Sequence, residues 1–318
     1  MLRKVLQIDG GGILGIIPLS VLVSLEQVTG KQCYELFDLM SGTSTGSIIC
    51  GMLATGVPAK VLYDMYTQQA EILFDKRTWY SSIIGPKYDR SKLMGAMYDM
   101  VRKYGKGTGK MGDTRTKFIS AAFNRTSGRT HFQMSWDDYH QGLDIVQVIS
   151  WSALSAVHYF GPICVPDYQY TVDYQVDIPF RTNGAVFFDG GQGRNNCSLG
   201  ECVTTCVLLD YVGHSDFTYI LSLGCGDVKL GKSYSDCVKD SEATEIADYL
   251  TEAKNEGVYD QLSKVNAIAG HLPDLKVTRL DVVLDKDQNV LDSFKNISNY
   301  VQYGNTLVSK IPPIFKGI

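Results

Sequence analysis

The 318 residues carry a formal charge of -4, with 44% hydrophobic and 20% charged side chains. This is the balance of an ordinary globular chain, and it excludes a disordered chain or a basic nucleic-acid binder. Eight cysteines are scattered along a large chain in which Asp9 and the glycines cut short the first apolar run, so reduced thiols and no export signal are expected.

In chain order, Val5, Leu6 and Ile8 form a short apolar run closed by Asp9-Gly10-Gly11-Gly12, as expected of a buried parallel strand entering a turn. A helix follows with Pro18 in its first turn, and Leu19, Leu22, Val23 and Leu25 leave little of it polar, which suits a helix between layers. No run is read as long enough to span a bilayer. A second apolar run, Leu36 to Met40, leads into Gly42-Thr43-Ser44-Thr45-Gly46, after which Ile48, Ile49, Met52 and Leu53 take helical spacing. Further helices are predicted from Ala59 to Phe74 and from Ser91 to Tyr104. The glycine-rich basic loop Gly105 to Gly112 fails as a phosphate loop, because Met111 follows Gly109-Lys110 where Ser or Thr is required. Strands are predicted at Phe118 to Phe123, Thr130 to Met134, Val186 to Asp189 and Tyr219 to Leu223. Cys197, Cys202 and Cys206 lack a Cys-x-x-Cys pair and a nearby histidine, so no metal site is expected. With no internal repeat and no proline-rich linker, residues 1–318 are read as one α/β domain with helices on both faces of a mostly parallel sheet.

A serine hydroxyl is a weak nucleophile, so an acyl hydrolase must expose it on a sharp turn, set a base beside it and supply amide donors to the oxyanion. Glycines two before and two after Ser44 permit such a turn, between a predicted strand and a predicted helix. Gly10-Gly11-Gly12 offers unobstructed backbone N–H groups, with Gly11 and Gly12 the leading donors. Read as Gly10-x-Gly12-x-x-Gly15, the same loop is a dinucleotide fingerprint, but its acidic partner Glu35 precedes the second apolar run instead of closing it. Asp189 ends the run Ala185-Val186-Phe187-Phe188 and precedes Gly190-Gly191, which suits either a base delivered by a strand or a turn-capping aspartate. His214 and His271 follow in the order of a Ser-Asp-His triad, yet neither has a distinctive setting.

Asp9-Gly10-Gly11-Gly12, Gly42-Thr43-Ser44-Thr45-Gly46 and Asp189-Gly190-Gly191 resemble the three signatures of patatin-like phospholipases, closest in motifs to plant-type patatins. The likeness extends to Gly85-Pro86-Lys87-Tyr88-Asp89, Gly112-Asp113-Thr114-Arg115, Ser155 to Phe160 and Leu221-Ser222-Leu223-Gly224. The resemblance implies a three-layer α/β/α sandwich and a catalytic Ser44–Asp189 dyad without histidine. It assigns the oxyanion hole to Gly10, Gly11 and Gly12, and motif roles to Gly15, Gly42, Gly46, Gly190 and Gly191. The implied reaction is hydrolysis of acyl esters in membrane phospholipids or related glycerolipids through an acyl-enzyme, with no cofactor or metal. The implied setting is the cytoplasm of its own or a host cell, in peripheral contact with membrane. No nucleic acid is expected, and an unidentified activator is a partner to seek. Trp79, Tyr80, Ile83 and Ile84 are a candidate interfacial loop, and the tyrosine-rich span 166–180 reads as a lid or an insertion. Two departures stand out: Leu14 where the family commonly has arginine, and His158 in place of the usual proline segment. The competing readings are a catalytically idle storage or interaction protein of the same family, and a dinucleotide-binding protein.

Overall fold

The computed structural model describes residues 1–70, 86–168, 184–192, 195–212, 216–228, 257–285 and 288–317. The loop around Trp79 to Ile84, most of the tyrosine-rich span, His214 and the end of the helix predicted to reach Phe74 lie outside the described residues.

The strands are β1 (Leu2–Ile8), β2 (Leu39–Thr43), β3 (Lys117–Asn124), β4 (Arg129–Met134), β5 (Ile163–Val165), β6 (Ala185–Asp189), β7 (Phe217–Leu223), β8 (Asp227–Val228), β9 (Leu275–Leu280) and β10 (Val283–Leu284). Eight of them form one sheet in the order β5-β6-β3-β2-β1-β7-β9, with β4 also on β3, while β8 pairs with β10. Strands β3, β2, β1, β7 and β9 pair in parallel, β4 and β6 pair antiparallel with β3, and β5 pairs antiparallel with β6. The helices are α1 (Ile16–Thr29), α2 (Cys33–Leu36), α3 (Thr45–Thr55), α4 (Ala59–Gln68), α5 (Ser91–Tyr104), α6 (Ile145–Ala153), α7 (Leu199–Leu208), α8 (257–269), α9 (Ile297–Val308) and α10 (Pro313–Lys316).

Side chains alternate across a strand, so each central strand feeds two cores. Leu6, Ile8, Met40, Phe118 and Leu221 pack beneath α1, α3, α5, α6 and α9. Val5, Leu39, Ile119 and Ile220 pack on the other face with α7 and α8. The arrangement is a three-layer α/β/α fold with a mostly parallel central sheet.

Two expectations are corrected. Gly12–Thr29 is long and apolar enough by composition to cross a membrane; in the fold α1 is a core helix, packed against α4 and α9. Leu36 belongs to α2 and not to the second strand, because Glu35 Oε2 accepts the Gln32 N–H (2.8 Å) and Glu26 Oε1 accepts the Cys33 N–H (2.9 Å), which fixes a helical turn there. Glu35 is thereby engaged as a helix cap.

Two histidines share a buried aromatic cluster with Tyr168, whose hydroxyl lies 3.4 Å from Nδ1 of His131 and 3.4 Å from Nε2 of His140. Burial pushes both pKa values down to about 4, with the Arg129 charge adding to the effect at His131. The folded protein therefore holds these rings neutral below their ordinary value of 6.5, where the unfolded chain takes up protons. Their full stabilisation is present above pH 6.5 and is lost as pH falls toward 4, by roughly 3 kcal/mol for His131. Chemical denaturation at pH 7.5 and 5.0 measures this, and a pH dependence unchanged in His131→Gln would rule it out.

Candidate active site

Strand β2 ends at Thr43, and the chain turns into α3 through Ser44, which has φ 53° and ψ -122°. A non-glycine residue with positive φ is strained, and such strain gathers at functional turns. The flanking glycines are needed for close approach, since a Cβ on Gly42 would collide with the Gly46 carbonyl and one on Gly46 with the Ile8 carbonyl. Gly46→Ala is expected to cost about 3 kcal/mol, because backbone atoms cannot yield as a flexible side chain can. Thermal unfolding checks this, and a Tm within a degree of wild type would contradict it.

The partner of Ser44 is set by strand pairing. Residues 119–124 of β3 pair with β4 along one edge. The other edge is divided: β2 occupies it as far as Thr43 opposite Ala121, and β6 continues it from Asp189 opposite Ala122. The strands run toward each other along that edge, so their C-terminal ends meet and Ser44 comes up against Asp189. Ser44 Oγ donates to Asp189 Oδ2 at 2.7 Å, and Asp189 Oδ1 accepts the Gly191 N–H at 2.8 Å. Gly190 fits the junction because a Cβ there would strike the Ala121 carbonyl. Ser152 of α6 bridges the strand and the turn, donating to Ala121 O (2.5 Å) and accepting the Ser44 N–H (2.9 Å). Asp189 is 7% exposed, so its carboxylate is largely removed from bulk water, while Ser44 is half-buried at the pocket.

The glycine loop after β1 faces this pair. Gly10 is corrected as an oxyanion donor, because its N–H already donates to Asn196 O at 3.1 Å. Among the described residues the N–H groups of Gly11 and Gly12 have no acceptor. Gly12 needs its glycine, with φ 57° and the Leu291 carbonyl where a Cβ would project. That carbonyl also accepts the Ile13 N–H at 2.9 Å, and Asn196 Nδ2 donates to Gly10 O at 3.2 Å. Gly15 leaves room for the Thr45 side chain.

Gly11, Gly12, Ser44 and Asp189 line one pocket of about 180 Å³, whose apolar wall includes Ile48, Tyr66, Leu93, Leu154 and Phe160. Asp292 also lines it, bonded to the Tyr88 hydroxyl (2.6 Å) and paired with Lys87. His158 lies on the pocket wall; among the described residues it makes no hydrogen bond to Ser44 or Asp189. Leu14 is buried in the core, so the loop carries no charge at that position. Ser152, Asn196, Leu291 and Asp292 were not found from the sequence. Asn196 opens an Asn-Cys-Ser glycosylation sequon, a role its burial precludes, and the others lack a local signal.

The model of the patatin-like phospholipase family matches residues 6–198, about three fifths of the chain. The chain belongs to this family. Patatin-like protein 2 of Oryza sativa subsp. indica is 24% identical over 365 residues, spanning 96% of this chain and 84% of that protein. The cGAMP-activated phospholipase of Vibrio cholerae is 26% identical over 62% of this chain and 56% of its own length. Among solved structures, VipD from Legionella pneumophila aligns over 97% of this chain and 67% of its own, with a TM-score of 0.40 and 11% identity, a distant likeness. The patatin-like match holds the glycine loop, Ser44, Ser152, Asp189 and Asn196, whereas Leu291, Asp292 and β9 lie beyond it.

Proposed function

We propose that this patatin-like protein is a lipid acyl hydrolase that cleaves acyl esters of membrane phospholipids or related glycerolipids. The observation that carries the reading is the 2.7 Å hydrogen bond from Ser44 to Asp189 at the end of an apolar pocket faced by the Gly11 and Gly12 amides. The acyl chain lies along Ile48, Leu93, Leu154 and Phe160, with the ester carbonyl over Ser44. Asp189 takes the hydroxyl proton as Ser44 Oγ bonds to the carbonyl carbon, and the negative charge on the former carbonyl oxygen falls to the Gly11 and Gly12 N–H groups. Collapse of the tetrahedral intermediate expels the alcohol with that proton. Water, deprotonated by Asp189, then attacks the acyl-enzyme and releases the fatty acid. An ordinary aspartate is a weak base at neutral pH, so direct contact between Ser44 and a largely buried carboxylate matters to this scheme.

The strained elbow, the intact Ser–Asp contact and the unengaged amides all favour an active protein over an idle relative. A fluorophosphonate probe is expected to label Ser44, and phosphatidylcholine vesicles are expected to release fatty acid. No labelling and no release, with or without cyclic nucleotides, would sink the proposal. Cyclic nucleotides belong in that assay because relatives carry the names cGAMP-activated and cUMP-AMP-activated phospholipase.

A further inference from the structure

Gln7 of β1, Ser222 of β7 and Arg279 of β9 lie in register across three adjacent strands. They form a hydrogen-bonded polar row: Arg279 Nη1 donates to Ser222 Oγ (2.9 Å), and Ser222 Oγ donates to Gln7 Oε1 (2.5 Å). Gln7 Nε2 then donates to Asp9 Oδ1 (2.8 Å), while Arg279 Nη2 reaches across β7 to Asp9 Oδ2 (2.5 Å). Asp9 is the residue from which β1 releases Gly10, Gly11 and Gly12.

The same guanidinium holds the other side of the loop. Arg279 Nη2 donates to Asp281 Oδ2 (2.6 Å), and Asp281 Oδ1 accepts the N–H groups of Gly226 and Val282 (both 2.9 Å). Gly11 rests directly on this turn, since a Cβ on it would collide with Cys225, and Cys225 Sγ donates to Asp9 O at 3.3 Å. One cation thus anchors both the residue that launches the glycine loop and the turn beneath it. The pair is well shielded, with side-chain exposures of 4% for Asp9 and 16% for Arg279. A buried ion pair is a weak source of stability compared with apolar packing, whereas charge-assisted bonds are directional and hold an angle.

We infer that Arg279 is a positioning residue, whose paired contacts with Asp9 and Asp281 aim the Gly11 and Gly12 N–H groups into the pocket. The inference rests on the oxyanion role proposed above. Misaimed donors weaken transition-state stabilisation more than ground-state binding, so the effect falls on kcat.

Steady-state hydrolysis of a short-chain chromogenic ester is measured for wild type, Ser44→Ala, Arg279→Met, Arg279→Lys, Asp9→Asn and Asp281→Asn, with thermal unfolding of each. Arg279→Met is expected to lower kcat by about 100-fold or more with KM within about twofold, the magnitude of losing an oxyanion donor. Arg279→Lys, which keeps the charge but not the fork, is expected to recover at least about tenfold of that loss. Asp281→Asn keeps the oxygen that Gly226 and Val282 use and is expected to lose less than Arg279→Met. If Arg279→Met does not fold, Asp9→Asn carries the test, with a kcat loss of about tenfold or more at unchanged KM. A folded Arg279→Met, or in its place Asp9→Asn, with wild-type kcat overturns the inference. So does a loss that lysine does not rescue. An inert wild type, or one matched by Ser44→Ala, instead defeats the hydrolase reading itself, so the two failures are distinct.

Discussion

Alanine at position 44 is expected to lower kcat for ester hydrolysis by about 10⁴-fold or more, because the nucleophile is removed outright while the pocket stays intact. The substitution deletes only a hydroxyl whose described partner is Asp189 Oδ2, so the fold persists. The strain at this turn adds a second, independent signature. With φ at 53°, Ser44→Gly relieves a conformation that costs a side-chain-bearing residue about 1 kcal/mol or more. The glycine variant is therefore expected to be as inactive as the alanine variant, yet to unfold at a Tm equal to or above that of wild type. Fatty-acid release from phosphatidylcholine vesicles and calorimetric unfolding measure the two effects. Undiminished release by Ser44→Ala would remove Ser44 from the chemistry.

The second large effect is expected at Asp189. Asn in this position matches the shape of aspartate, and its carbonyl still accepts the Gly191 N–H. Its amide then faces Ser44 Oγ as a donor and cannot take the proton. A fall in kcat of about 10³- to 10⁴-fold with KM nearly unchanged is expected, since the loss appears only when the proton moves. Because the hydrogen-bonding shape is kept, Tm is expected to stay within a few degrees. Retained activity in Asp189→Asn would shift the base elsewhere, and His158 on the pocket wall is the group to replace next. Loss in His158→Ala alone, with Asp189→Asn active, would establish a histidine-based site instead.

Much of the scaffold was legible because it is specified locally. The apolar run before Asp9, the glycines after it and the near-wholly apolar helix beyond announce β1, the loop and α1 by themselves. The same holds for β2, the elbow and α3, and the periodicity of Ser91 to Tyr104 gave α5 its observed limits. Helix α6 escaped notice. It is buried on nearly every side, so it lacks the polar face that makes a helical period visible. With it went Ser152, whose importance lies in two partners, Ala121 and Ser44, that belong to other elements. Arg279 is similar: in the sequence it is one of many charges, and only its place opposite Ser222 gives it Asp9 to hold.

The glycine loop shows how far a motif reaches. Its three glycines each offer an unobstructed amide, but the Gly10 N–H is already taken by Asn196 O. That difference comes from a residue 186 positions away.

By itself the sequence determined the strand-turn-helix units, the sharp glycine-flanked turn at Ser44 and the candidacy of Ser44 and Asp189, because glycine freedom and apolar periodicity act over a few residues. Only the tertiary structure decided that β6 runs against β3 on the edge that β2 leaves free, so that Asp189 and Ser44 meet. Edge sharing, register and crossing depend on the packing of every strand at once, and no local pattern records them.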